Sequence, residues 1–361
     1  MMSPLGPARV EDMRSRNLAF WSCAAIDRPL LGAWIGETTQ PAIYAVAEEG
    51  EWLRPAQMVA APFFDLIERE CRLAERLEID LFMPAAPPPG VPWLEACLGM
   101  PVQVYRDAVW AHAILNPDEP LESFRPAYNA EWIDALVDFL HDLVAEFAGR
   151  YPIAMPFLRG PIDVLAGMIG TDRACLEFYD HSDQMARLID FCATAWQDIS
   201  LRLQRIIPPF DGGYVCGGRW IYAPAPCTYS SEDSTTFLSM ATFRRFLLPA
   251  NQRIADAFPH GFMHRHSVSR QNIAGLLEIN PGWAIEITVD PMGPAVGELI
   301  PLFRELQAAG RPIILFGISN ESDISELAKG ISPCGLCIIF QAATLEEGRQ
   351  LLLAARRARW R

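Results

Sequence analysis

Along the chain, short runs of branched and apolar residues recur, separated by longer segments whose apolar residues fall at i, i+3, i+4 and i+7. The runs are LLGAWIG (30–36), IDLFMP (79–84), IAMPFLRG (153–160), GGYVCGG (212–218), GFMHRHS (261–267), WAIEITVD (283–290), PIILFGIS (312–319) and GLCIIFQA (335–342). The helical pattern fills 132–150, 182–206, 241–258, 297–310 and 344–358. Strands that are apolar on both faces pair in parallel beneath a layer of helices, and eight strand-and-helix units predict an α/β fold, a closed (β/α)8 TIM barrel. Residues 1–28 read as an N-terminal helical extension. The stretch 85–130, with PAAPPPGVPW and LNPDEPLESFRPAYN, breaks the alternation; proline cannot donate to a central ladder, so an insertion near the barrel mouth is expected there. All of 1–361 is read as a single barrel domain.

Composition narrows the function classes. The chain is 51% hydrophobic and 20% charged, which suits a packed soluble protein and not a disordered one. A formal charge of −14 repels phosphate backbones and anionic membranes, so neither nucleic acid nor a membrane surface is expected as a partner. The one basic cluster, RRARWR (356–361), closes an amphipathic helical stretch and reads first as a solvated helix end. No signal-peptide core and no apolar run of membrane-spanning length are visible, so a cytoplasmic protein is expected. Nine scattered cysteines, an odd number in mostly apolar contexts, suit reduced buried thiols better than a disulfide framework.

Three of the six histidines fall within HGFMHRHS (260–267). In a strand, residues two apart point to the same side, so His264 and His266 share one face and Arg265 takes the other. In the next run Glu286, Thr288 and Asp290 share a side as well. Near the C-terminal ends of barrel strands, two imidazoles and a carboxylate make a first shell for zinc or another divalent metal. The competing reading is that one histidine orients a substrate or satisfies a buried backbone group while the other is exposed.

Other motifs carry two readings each. Cys334-x-x-Cys337 has the spacing of a zinc knuckle, but no second pair accompanies it and core packing is the first reading; Cys337 would add a thiolate if it faced inward. Gly217-Gly218-Arg219 and Arg159 sit at strand ends, where an arginine grips a carboxylate or phosphate or simply caps a surface turn. In SSEDSTTFLS, helix-start charge and a site role weigh evenly for Glu232 and Asp233.

Taken in order, RPLLGAW, PFLRGPIDVLAGMIG, RLIDFCATAW, SEDSTTFLSMATFRRFLLPANQRIADAF leading into HRHS, and GLCIIFQAATLEEGRQLL resemble the uroporphyrinogen decarboxylase superfamily over about residues 28–355. The resemblance implies a (β/α)8 barrel and one of two chemistries. In the decarboxylases a catalytic aspartate would correspond to Asp80, and the arginine-rich propionate-binding segment after the first strand here reads WIGETTQP, opening on Trp34 and with Glu37 and no arginine. The corrinoid-linked methyltransferase branch carries H-x-C where this chain has His264-Arg265-His266, and in the more distant cobalamin-independent methionine synthases a glutamate ligand follows at a separation close to that of Glu286.

The expectation is a metal-dependent enzyme, zinc being the metal the resemblance implies, that performs methyl transfer or a related carbon-bond cleavage on a small carboxylated substrate. His264, His266 and Asp80 are the expected catalytic residues; His264, His266, Glu286 and Asp290 the metal ligands; Trp34, Glu37, Arg159 and Arg219 the substrate contacts. A corrinoid-binding protein is the implied methyl-donating partner, and a homodimer is left open. Two alternatives stand beside this: a metal-free decarboxylase in which His264 or His266 donates a proton, and a ligand-binding barrel without catalysis.

Overall fold

Proline decides which of the expected strands become regular. The computed structural model describes residues 6–36, 42–106, 108–116 and 118–361, apart from the side chains of Arg270 and Gln271. Glu37, an expected substrate contact, lies outside the described residues. The strands are β1 (Leu30–Ile35), the antiparallel pairs β2 (Val102–Tyr105) with β3 (Ala108–Ala111) and β4 (Tyr214–Val215) with β5 (Tyr222–Ala223), then β6 (Cys227–Ser231), β7 (His260–His266), β8 (Trp283–Thr288), β9 (Ile313–Ile318) and β10 (Leu336–Ala342). One curled parallel sheet of six strands runs in the order β1-β10-β9-β8-β7-β6.

Eight regular barrel strands were expected, and three of them do not join the sheet, the first two being 79–84 and 153–160. Pro84 ends the 79–84 segment, while Pro156 interrupts 153–160 and Pro152 and Pro161 flank it; a residue without an N–H cannot sustain a ladder. Both segments nevertheless lie between β1 and β6, held by single contacts. Asp80 N donates to Leu31 O at 2.8 Å, Ala85 bridges Ile153, and Arg159 bridges Ser231, with Gly160 N donating to Ser231 O at 2.6 Å.

A second correction concerns residues 212–218. Gly212 and Gly218 adopt left-handed backbone, with φ of 79° and 70°, and the segment turns into the β4–β5 hairpin instead of joining the sheet. Its place is taken by β6, whose sequence CTYSS is fully buried yet largely polar.

The expected helices are present as Ala130–Phe147, Ser182–Gln204, Val296–Ala308 and Leu345–Arg357. The one expected over 241–258 splits into Met240–Thr242, a wide π turn over Phe243–Leu247, and Leu248–Ala257. Pro249 lacks the N–H that would continue the regular ladder. Helices also fill Phe64–Leu77, Pro161–Ile169, Thr171–Asp180 and Glu321–Gly330, which the periodicity had not marked. The N-terminal extension is the helix Pro7–Trp21, seated on the hairpin by Trp21 Nε1 donating to Tyr222 O at 2.8 Å and Asn17 Oδ1 accepting from Tyr222 N at 2.9 Å. No helix among the described residues is long and apolar enough to cross a membrane.

Inside the curl, Gly32 lets the opposite segment approach: a Cβ there would stand 2.5 Å from Leu81 Cδ1. Residues in register on adjacent parallel strands share a face, so the ladder Ser231, His264, Glu286 and the row His266, Thr288, Phe316 above it fix what meets at the C-terminal ends.

Candidate metal centre at the ends of three strands

β7 alternates as its sequence requires. Arg265 turns outward to the helices, fully buried, where Nη2 meets Glu232 Oε2 at 2.8 Å and Asn251 Nδ2 shares that oxygen. His264 and His266 turn inward with their rings edge to face, centroids 4.8 Å apart. Each ring is fastened at Nδ1 by a carboxylate on or just after β8: Glu286 Oε2, within the strand, takes His264, and Asp290 Oδ1, two residues past its end, takes His266 at 2.5 Å. The Nε2 atoms face Asp233 Oδ1, at 3.3 Å from His264 and 3.6 Å from His266. Ligand atoms of Asp233, His264 and His266 all lie within 4.8 Å of one another, close enough to share one metal ion.

The carboxylates are themselves held. Glu286, fully buried, accepts from Arg219 Nη2 at 3.2 Å and from Thr288 Oγ1 at 3.1 Å. Asp290 Oδ2 accepts from Ser267 Oγ at 2.8 Å and Val268 N at 3.2 Å. Asp233 sits on a short 3-10 turn pinned from below: Asp163, at the start of helix Pro161–Ile169, accepts Asp233 N at 2.9 Å and Ser234 N at 2.7 Å. Ser231 Oγ adds a bond to Asp233 Oδ1 at 3.3 Å.

Burial and charge compete here. Burial alone would lower the His264 imidazole, but Glu286 and Asp233 outweigh it and raise it to about 9. Burial would raise Glu286, yet Arg219 and His264 hold it down to about 2. Asp290 is likewise held below the usual carboxylate range against burial, through His266 and Ser267. Metal-free, the cluster stores a proton on His264; a cation bound at Nε2 would replace that proton.

The sequence-expected residues divide. His264 and His266 converge as anticipated. Glu286 and Asp290, expected as ligands, instead engage the far nitrogens of the rings. They leave the near side to Asp233, whose loop position gave no periodic signal. Asp80 does not join: it lies at the opposite, N-terminal end of the strands, fully buried, bound by both nitrogens of Arg28 and by Leu31 N at 3.0 Å. That arrangement holds it in an ion pair with Arg28, apart from the histidine pair.

Arg219 is committed to Glu286, its guanidinium 4.3 Å above the Phe316 ring. Trp34 stacks on Trp220 at 5.7 Å and meets Phe316 edge-on at 6.3 Å, so it belongs to the wall behind Arg219 and not to the histidine pair. Arg159 is part-exposed, with Nε 3.4 Å from the buried Glu95 Oε1 of the insertion. Cys337 is fully buried, burial pushes its thiol well up, and it stands outside the ligand cluster. Tyr229 was not anticipated: stacked on Phe262 at 4.8 Å, it buries a hydroxyl that has no hydrogen-bond partner among the described residues.

No family description matches this chain, and no curated protein does either. Among solved structures the chain is similar to a methyltransferase from Methanosarcina mazei, with a TM-score of 0.65 over 95% of this chain and 98% of that one, at 13% sequence identity. At that identity the likeness speaks to the fold.

Proposed function

We propose that the six-stranded sheet and its two bridged segments form one irregular (β/α)8 barrel domain, an enzyme holding a divalent cation on His264 Nε2, His266 Nε2 and Asp233 Oδ1. The reading is carried by the two carboxylate-fastened imidazoles: a histidine that binds metal through one nitrogen commonly donates its other N–H to a carboxylate, which fixes ring and tautomer. Two nitrogens and one oxygen suit zinc among other divalent metals and leave a position for substrate. A cation so held would supply Lewis acidity toward a substrate oxygen or a bound nucleophile.

The reaction we propose is methyl transfer, or a related carbon-bond cleavage, on a small carboxylated substrate, with a corrinoid-binding protein as methyl-donating partner in the cytoplasm. The structural neighbour's activity supports this class. Arg159, whose Nε faces Glu95, is left with its two terminal nitrogens to grip a carboxylate, and the unpartnered Tyr229 hydroxyl offers a polar contact deeper in. The proline-rich insertion, which supplies Glu95, would cover the mouth. Metal-free decarboxylation is the second reading, because the raised His264 holds a proton beside the site.

Metal analysis of untagged protein, followed by assays of methyl transfer from methylcobalamin to small carboxylated acceptors and of CO2 release, separates these. About one divalent ion per chain, lost in His266→Ala together with methyl transfer, is the expected result. Substrate-dependent CO2 release from protein that holds no metal would replace it with the decarboxylase.

A further inference from the structure

A cavity that none of the histidines lines lies beneath the N-terminal ends of the strands, with a volume of about 330 Å³. That is at the lower end of the range of about 300–1,000 Å³ for small-molecule sites. Three guanidiniums from separate elements meet on its wall over residues 78–80. Arg9 Nη2, from the N-terminal helix, donates to Glu78 O at 2.9 Å and Ile79 O at 2.8 Å. Arg28 engages Asp80 with both terminal nitrogens, and Arg356 Nη2, from the last turn of Leu345–Arg357, donates to the same Glu78 O.

Their charges are not balanced. Asp80 is the one buried carboxylate among them, and it is taken up by Arg28 and Leu31 N, with Arg9 3.5 Å away; Arg9 also pairs with the more exposed Asp12 at 3.0 Å, which leaves Arg356 as the unmatched charge. Among the described residues Arg356 has no carboxylate within 4.0 Å, so a half-buried cation faces the cavity held by a single carbonyl. Burial pulls its guanidinium below the ordinary arginine range. The acids nearby are Glu75, which lines the cavity and is pushed up by burial, and Glu78, whose side chain is exposed. Arg150 across the cavity is already paired with Glu68 and Glu146.

The remaining wall is apolar. Met13 and Phe82 belong to a small hydrophobic cluster separate from the main core, with Phe210 packed against it, and all three line the cavity. A cationic end beside an aromatic wall matches one ligand chemistry. We infer that this cavity binds a small organic oxyanion, its carboxylate or phosphate on Arg356 and Arg9 and its apolar body along Phe210 and Phe82. The basic C-terminal cluster thereby acquires a role that helix-end solvation does not supply. The inference is independent of the metal centre.

Calorimetric titration of the full chain with phenyl phosphate, phenylacetate and inorganic phosphate tests it, with sodium chloride at matched ionic strength as control. One saturable site is expected, with an aryl anion bound about tenfold or more tighter than inorganic phosphate through the apolar contact. Arg356→Gln should weaken aryl-anion binding about tenfold or more, as loss of a charge-assisted hydrogen bond does, with Arg356→Lys in between. Phe210→Ala should remove the aryl advantage and leave inorganic phosphate unchanged. Whichever aryl anion binds tighter identifies the head group. Metal content should be unaltered in Arg356→Gln, and anion binding unaltered in His266→Ala, so the two readings fail separately. Absence of saturable binding, an equal response to sodium chloride, or full binding in folded Arg356→Gln and Phe210→Ala would overturn the inference.

Discussion

Replacing Glu286 by glutamine keeps the side chain's shape and removes its charge. In the native protein this fully buried carboxylate accepts from His264 Nδ1, from Arg219 Nη2 at 3.2 Å and from Thr288 Oγ1 at 3.1 Å. Taking one partner from a buried pair costs about 3–5 kcal/mol, because the other charge is left uncompensated. The lowered pKa gives a second figure: against burial, Arg219 and His264 hold Glu286 down from 4.5 to about 2, which corresponds to roughly 3 kcal/mol at neutral pH. Arg219 keeps its contact with Phe316, so the lower figure, about 3 kcal/mol, is the expectation.

A group whose acidity is increased by folding stabilises above its unfolded value and loses that contribution as pH falls toward the folded one. The gap between wild type and E286Q should therefore be full at pH 7 and shrink as pH falls below 4.5 toward 2. Urea unfolding followed by tryptophan fluorescence, repeated at descending pH on metal-free protein, reads this directly. Competition with a chromogenic chelator should show metal affinity down about 10–100-fold in E286Q, the usual effect of losing a carboxylate behind a ligating histidine. Equal stabilities at pH 7, or a gap that does not change with pH, would refute Glu286 as the ionised partner of His264 and Arg219.

Asp163→Ala should release the turn carrying Asp233, lowering metal affinity about tenfold in a chelator competition with both histidines in place. Arg265→Met strands the buried Glu232 and should cost about 3–5 kcal/mol in urea unfolding, while metal stoichiometry stays native because Arg265 faces the helices; adding Glu232→Gln should restore part of the loss. Gly32→Ala places a Cβ against Leu81 and should cost about 1–3 kcal/mol by overpacking. Leu81→Ala in the same chain should relieve the Gly32→Ala clash, which a double-mutant cycle measures.

The histidine pair was legible because β7 and β8 are true strands, where a two-residue period decides which side chains share a face. The same period put Glu286 and Asp290 on the right side, but it could not say which nitrogen of each ring they would take; that depends on how the strand ends twist. Asp233 follows β6, whose Cys-Thr-Tyr-Ser-Ser run lacks the apolar signature of a buried strand, and the neighbouring Gly-Gly-Tyr-Val-Cys run carried a stronger one. Asp80 shows the reverse failure. Its segment was located, but which end of the sheet it sits against follows from its pairing with Leu31 and Arg28, contacts across 49 and 52 residues that no local pattern encodes. Prolines 84 and 156 were visible throughout, and their cost to the two missing ladders was the part of the fold most open to prediction.

The central claim is that His264, His266 and Asp233 hold one divalent cation through the histidines' Nε2 atoms. Anomalous diffraction from crystals of the untagged protein, collected on both sides of the metal absorption edge, tests it most directly. The account predicts one anomalous peak per chain bounded by His264 Nε2, His266 Nε2 and an Asp233 carboxylate oxygen, with Glu286 and Asp290 on the opposite nitrogens. A metal-replete crystal whose peak lies elsewhere, or whose cation is bound by Glu286 or Asp290 in place of Asp233, would contradict it.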